Sequence, residues 1–249
     1  MNKNRRQIVI GNWKLNGSIS SVTDLLHELV AGWVGVHQAE VVVCPAHVHL
    51  LQAYNELAKS NIALGGQDVS AYDAGPYTGD VSAEMLHDVG CQYAIVGHSE
   101  RRRFHCESNE QVARKVERAQ ASMLVPIVCV GESLAERQSG KALQVIERQL
   151  SAVIDHCGVE RLARAVVAYE PLWAVGTGVT AAPEQAQEVH AHIRGMLGSV
   201  GMLTRIVYGG SVKAGNAKAL FAQPDIDGAL VGAASLIAKE FLDICQAAE

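Results

Sequence analysis

A chain of 249 residues, 49% of them hydrophobic, can bury one large α/β core or two smaller ones. Its formal net charge of -5 and its short charged runs supply no basic field, so DNA and RNA are excluded as expected partners. The opening MNKNRRQIVIGNW has an apolar run too brief for a signal-peptide core or a spanning helix, and the six cysteines include no C-x-x-C pair; a complete cytosolic chain with reduced thiols, no membrane partner and no zinc ribbon is expected.

The first strand signal is QIVIGN (7–12), short and β-branched. SSVTDLLHELVAGW follows with Val22, Leu25, Leu26, Leu29 and Val30 on one helical stripe. EVVVC (40–44) and IALGGQ (62–67) are the next two strands, the latter running into GGQDVSAYDAGPYTG (65–79), a long irregular connection of the kind that carries function in compact domains. YAIVG (93–97) is the fourth strand, and SNEQVARKVERAQA opens a helix with Ser108 as N-cap and Gln111 at capping-box spacing. VPIVCV (125–130), AVVAYE (165–170), RIVYG (205–209) and GALVG (228–232) complete the set. Near-continuous apolar strands alternating with helices predict a parallel sheet covered on its outer face. Eight such units match a closed (β/α)8 barrel, with a doubly wound open sheet as the alternative. No linker or low-complexity tract divides the chain, so residues 1–249 are expected to form a single domain.

In such a barrel the residues just after each strand gather on one rim. Here they are Asn12 and Lys14, then His98 and Glu100, Glu132, Glu170, the segment Gly209, Gly210 and Ser211, and finally Gly232. Taken singly, His98 also fits a hydrogen-bonded structural histidine, and Lys14 a solvated rim lysine. Glu170 lies between apolar VVAY and PLW, and Pro171 restricts its backbone to extended geometry. Burial without a partner would raise its pKa toward the range of a general base. YGGSV (208–212) and LVGAAS (230–235) place small residues where strand passes into helix, where free amides and the helix dipole suit a phosphate. His47 with His49, and His190 with His192, are poorly spaced as metal ligands, so no metal is expected. Arg101, Arg102 and Arg103 are expected to form a solvated face with one or two ion pairs, Glu107 being a candidate partner.

Seven motifs in order, GNWKLNG (11–17), TGDVSAEML (78–86), AIVGHSERR (94–102), CVGE (129–132), AYEPLWAVGTG (168–178), YGGSV (208–212) and DGALVGAASL (227–236), resemble the triosephosphate isomerase family over essentially the whole chain. The resemblance implies a single TIM barrel acting as a homodimer, without metal or organic cofactor, on dihydroxyacetone phosphate and glyceraldehyde 3-phosphate. It implies Glu170 as the proton-transferring base, His98 as donor to the substrate oxygens, Lys14 and Asn12 as charge stabilisers, and Glu100 as a supporting residue touching the lysine. The family is a standard case of a base beside an imidazole kept neutral by a helix N-terminus, which a helix starting at Ser99 would supply. Residues 171–181 would form a lid that excludes water, with Gly176, Ser211 and Gly232 offering amides to the phosphate and Ala233 keeping its N-H. Thr78 would reach into the partner's site. Two departures stand out: Ala233 replaces a usual glycine, at a cost of about 1 to 2 kcal/mol if its φ must be positive, and Val179 replaces a frequent lysine at the lid's hinge. The alternatives are another phosphosugar enzyme, such as an aldolase forming a Schiff base through Lys14 or Lys213, and a non-catalytic phosphate-binding barrel.

Overall fold

The eight β-branched runs form strands because each can bury both of its faces. The computed structural model describes residues 5–35, 38–174 and 180–249. The strands are β1 (Ile8–Asn12), β2 (Glu40–Cys44), β3 (Ile62–Gly66), β4 (Tyr93–Val96), β5 (Val125–Val130), β6 (Val166–Tyr169), β7 (Arg205–Tyr208) and β8 (Gly228–Val231). All pair in parallel, and β1 closes the barrel on β8 with Ile8 opposite Gly228 and Ile10 opposite Leu230. Alternation then divides the core in two. Ile8, Ile10, Val42, Ile95, Ile127 and Val207 fill the barrel interior, while Val9, Val43, Val96, Val128 and Val167 face outward under the helices.

Eleven α-helices among the described residues cover that outer face. They are α1 (Ile19–Gly32), α2 (Leu50–Leu57), α3 (Ala83–Asp88), α4 (Ser99–Phe104), α5 (Asn109–Ala121), α6 (Leu134–Gln138), α7 (Ala142–Cys157), α8 (Val159–Ala163), α9 (Pro183–Met196), α10 (Ala214–Phe221) and α11 (Ala238–Gln246). The α1 stripe buries Val22, Leu26 and Leu29, and α5 opens on the expected capping box between Ser108 and Gln111.

Five strands stop one residue earlier than their sequence pattern runs, at Gly66, Val96, Tyr169, Tyr208 and Val231. The next residue in each case already belongs to the turn, and Gly97 is left-handed at φ 67°. The stretch from Gln67 to Val81 is irregular, as the sequence suggested, but it is tied across its base. Ser70 N-H donates to Val81 O at 2.8 Å, the Ser70 hydroxyl donates to Asp80 at 2.6 Å, and the Tyr72 and Tyr77 rings stack at 3.8 Å.

Candidate active site

The carboxyl ends of the strands surround a cavity of about 320 Å³, lined among others by Asn12, Lys14, His98, Glu170, Gly209, Gly210, Ser211, Lys213, Gly232 and Ala233. Asn12 ends β1 and is almost fully buried, and its Oδ1 accepts the Lys14 N-H at 3.1 Å. That bond helps hold Lys14 at φ 52°, a conformation that costs a lysine roughly 1 kcal/mol or more. Gln67 props the same turn by donating to the carbonyls of Lys14 and Cys44, each at 2.9 Å. Thus placed, the Lys14 ammonium donates to Glu100 Oε1 at 2.6 Å.

His98 sits one residue before α4 and caps it: Nδ1 accepts the Glu100 N-H at 3.2 Å. Across the cavity wall its Nε2 lies 2.9 Å from Glu170 Oε1, and Glu170 Oε2 accepts the Ser99 N-H at 3.0 Å. Two glycines make room for this carboxylate. A Cβ on Gly131 would stand 1.8 Å from the Glu170 carbonyl oxygen, and one on Gly209 would stand 2.8 Å from Glu170 Cγ.

Glu170 is therefore buried with partners, so the rise that burial alone would give does not prevail. Burial pushes its pKa up, but the His98 imidazole, the Ser99 amide and Lys14 outweigh it and hold the carboxyl below its ordinary value. The mirror effect acts on His98, where burial pulls down and the Glu170 carboxylate more than offsets it, leaving the imidazole above its ordinary value. The lowered pKa expected from the start of α4 is therefore not found while Glu170 touches the ring; what α4 supplies is a backbone amide at the other nitrogen. The Glu100 amide occupies Nδ1, so the neutral ring would carry its proton on Nε2, toward the cavity.

Several expectations change. Glu132 does not face the cavity: it is fully buried and accepts from Tyr169 Oη at 3.1 Å, Trp173 Nε1 at 2.9 Å and Arg137 at 3.2 Å. The arginine run is not uniformly solvated. Arg102 is half-buried and donates to Gly97 O, Asn109 Oδ1 and Cys129 O at 2.8, 2.7 and 3.2 Å. Arg101 pairs with Glu107, as expected, and with Asp68 at 3.0 Å, while Arg103 is exposed. Ala233 is not among the described non-glycine residues with positive φ, so the cost feared for it does not arise. Gly176 and Val179 lie outside the described residues. Thr78 is exposed on the 65–79 connection. Sequence reasoning missed the Ser99 amide and the Gln67 prop; the first could have been read from a helix start beside a buried carboxylate, the second had no local signal. Among the described residues no three His, Cys, Asp or Glu side chains gather as metal ligands, and no described helix is long and apolar enough to cross a membrane.

A model of the triosephosphate isomerase family matches residues 7–248. The chain belongs to the triosephosphate isomerase family. Triosephosphate isomerase of Thiobacillus denitrificans is 54% identical over 248 residues, covering 98% of this chain and 99% of that protein. Those of Nitrosomonas europaea and Dechloromonas aromatica are each 50% identical, over 249 and 248 residues, again covering 98% of this chain and 99% of theirs. The Glu170 and His98 wall and the small-residue wall of Gly209 to Ser211 and Gly232 line the same cavity of this family member.

Proposed function

We propose that this cavity interconverts dihydroxyacetone phosphate and D-glyceraldehyde 3-phosphate, the reaction of glycolysis and gluconeogenesis, with the residues already named in defined roles. The carrying observation is the 2.9 Å contact between Glu170 and His98 at a cavity that also holds Lys14 and the two glycine-rich turns. Glu170 removes a proton from C1 of the ketone, and the electron pair enters the C1–C2 bond while the C2 oxygen takes a proton from His98 Nε2. His98 then recovers a proton from the C1 hydroxyl as Glu170 returns its own to C2, which leaves the aldehyde and restores both groups. Lys14 and Asn12 stabilise the charge that builds on the oxygens. Glu100 holds the Lys14 ammonium in place.

The move of Glu170 toward C1 also settles the state of His98. As the carboxylate leaves Nε2, the influence that raises the imidazole's pKa weakens and burial prevails, which favours a neutral donor at the moment it is needed. The phosphate is held by the amides of Gly176, Ser211, Gly232 and Ala233, and small residues let the backbone approach it. Residues 1–249 act as one catalytic domain in the cytoplasm, paired as a homodimer in which Thr78 of each chain reaches the other's Asn12 and Lys14. No cofactor is required. The test is a coupled assay of glyceraldehyde 3-phosphate formation together with exchange of the C1 hydrogen with deuterated solvent. Absence of both activity and exchange in the intact protein would overturn the reading.

A further inference from the structure

A triose phosphate arrives as a dianion, yet the chain carries a formal net charge of -5. Local cations must therefore outweigh the general field near the cavity mouth, because screening confines their reach to about 10 Å. Among the described residues two cations line the cavity, Lys14 and Lys213. Lys14 is committed: its Nζ lies 2.6 Å from Glu100, and the cavity wall carries a further carboxylate in Glu170. Lys213 differs. Its side chain is exposed, and no described carboxylate lies within ion-pair distance of its ammonium. The neighbouring acid, Glu240, accepts the Ala214 N-H at 2.8 Å instead. The backbone beneath Lys213 is fixed, since its N-H donates to Asn216 Oδ1 at 2.8 Å and Asn216 Nδ2 donates to Ser211 O at 3.1 Å. A rigid turn thus presents an uncommitted ammonium two residues beyond Ser211, on the small-residue side of the cavity.

We propose that Lys213 recruits the substrate, drawing the phosphate dianion to the small-residue wall before Lys14 and His98 engage the reacting end. The inference rests on the reading of the cavity as a triose-phosphate site. Lys213 takes no part in proton transfer, so its contribution lies in capture and fades as salt rises.

The experiment compares the intact protein with Lys213→Gln, Lys213→Arg and Lys59→Gln. Lys59 follows α2 and is likewise an exposed cation, but it lies outside the cavity lining, so Lys59→Gln controls for loss of one unit of net charge. At low ionic strength kcat/KM of Lys213→Gln is expected to fall about 3- to 10-fold with kcat within about twofold of the intact protein. Its dependence on salt should flatten, and the inhibition constant of inorganic phosphate should rise by a similar factor. Lys213→Arg should restore all three quantities, and Lys59→Gln should leave them unchanged. Wild-type kcat/KM and salt dependence in an active Lys213→Gln protein would overturn the proposal. So would a fall in kcat as large as the fall in kcat/KM, or an equal effect of Lys59→Gln. An intact protein with no isomerase activity would instead sink the underlying reading of the cavity.

Discussion

Two opposed influences meet on Glu170 and His98, and the contact between them decides both protonation states. Removing the carboxylate charge should expose what burial alone does to the ring. In Glu170→Gln the His98 pKa is expected to drop from above to below its ordinary value of 6.5, because desolvation lowers it and its strongest raising partner is gone. Titration of the His98 ring by NMR checks this, and a value still above 6.5 would count against the assigned balance. Shortening the base instead, in Glu170→Asp, withdraws the carboxylate from C1, and kcat is expected to fall by about 10²- to 10³-fold with KM little changed. Both residues were legible in the sequence, His98 because a buried strand gives way there to a charged run, and Glu170 because it is a lone carboxylate between apolar VVAY and PLW. Their partners were less so. The carbonyl of Cys129 that receives Arg102 lies 27 positions away on the next strand, and nothing near Arg102 announces it, so a run of three arginines read as a solvated face. The left-handed turn at Lys14 was equally silent, since a lysine there is held by Asn12 and Gln67 and not by its own preference.

Strands were legible to within a residue or two because a run buried on both faces needs little beyond β-branched side chains. Where a side chain after a strand points was not. Glu132 follows β5 just as His98 follows β4, yet it turns away from the cavity to meet Tyr169 and Trp173 at the start of the 171–181 segment. At the other end of that segment the Ala181 N-H donates to Tyr208 Oη at 3.3 Å. Tyr208→Phe removes this tie without disturbing the ring packing, and a single hydrogen bond is worth about 1 kcal/mol, so kcat/KM is expected to fall by about fivefold. Stopped or steady-state assays check it; an unchanged value would show that the tie is idle. A second tie joins elements in another way. Glu107, just before α5, bonds Lys115 on that helix and Arg101 on α4. Burial pushes the Glu107 carboxyl up, but Lys115 and Arg101 outweigh it and keep it below its ordinary value of 4.5. Its stabilising effect is thus present above the unfolded pKa and lost as pH falls through the lower folded one. Glu107→Gln removes one of the two carboxylates that hold Lys115, the other being Asp68 at 2.7 Å, and is expected to cost about 2 kcal/mol in denaturant unfolding at pH 7, with the deficit shrinking as pH falls below the ordinary carboxylate value.

At the scale of the molecule, eight strand signals without a linker favoured a closed barrel by their number and the chain length, while burial of parallel strands on both faces fitted an open doubly wound sheet as well; the pairing of β1 with β8 decides it. What a single sequence pattern could not display is the surface such a barrel presents. Leu15, Val48 and Phe104 are 97%, 86% and 67% exposed, and they line one cavity together with Asn12, Lys14 and Glu100. Apolar side chains so open to water, beside the lysine of the site, mark a face that a second chain would cover. The 65–79 connection, stiffened by the Tyr72 and Tyr77 stack and carrying exposed Thr78, is the element suited to fill it. Assembly would then hold the Asn12 and Lys14 turn in register, and its loss would loosen that turn by more than catalysis tolerates. Thr78→Arg introduces a bulky charge at the proposed contact. It is expected to sediment near the single-chain mass of 26.6 kDa and to lose about 100-fold or more in kcat, since displacement of a catalytic group by about 1 Å costs that much. The intact protein should sediment near twice that mass, with specific activity falling on dilution through its dissociation constant. A Thr78→Arg protein that is monomeric and fully active would uncouple assembly from catalysis and leave the exposed apolar face without its proposed purpose.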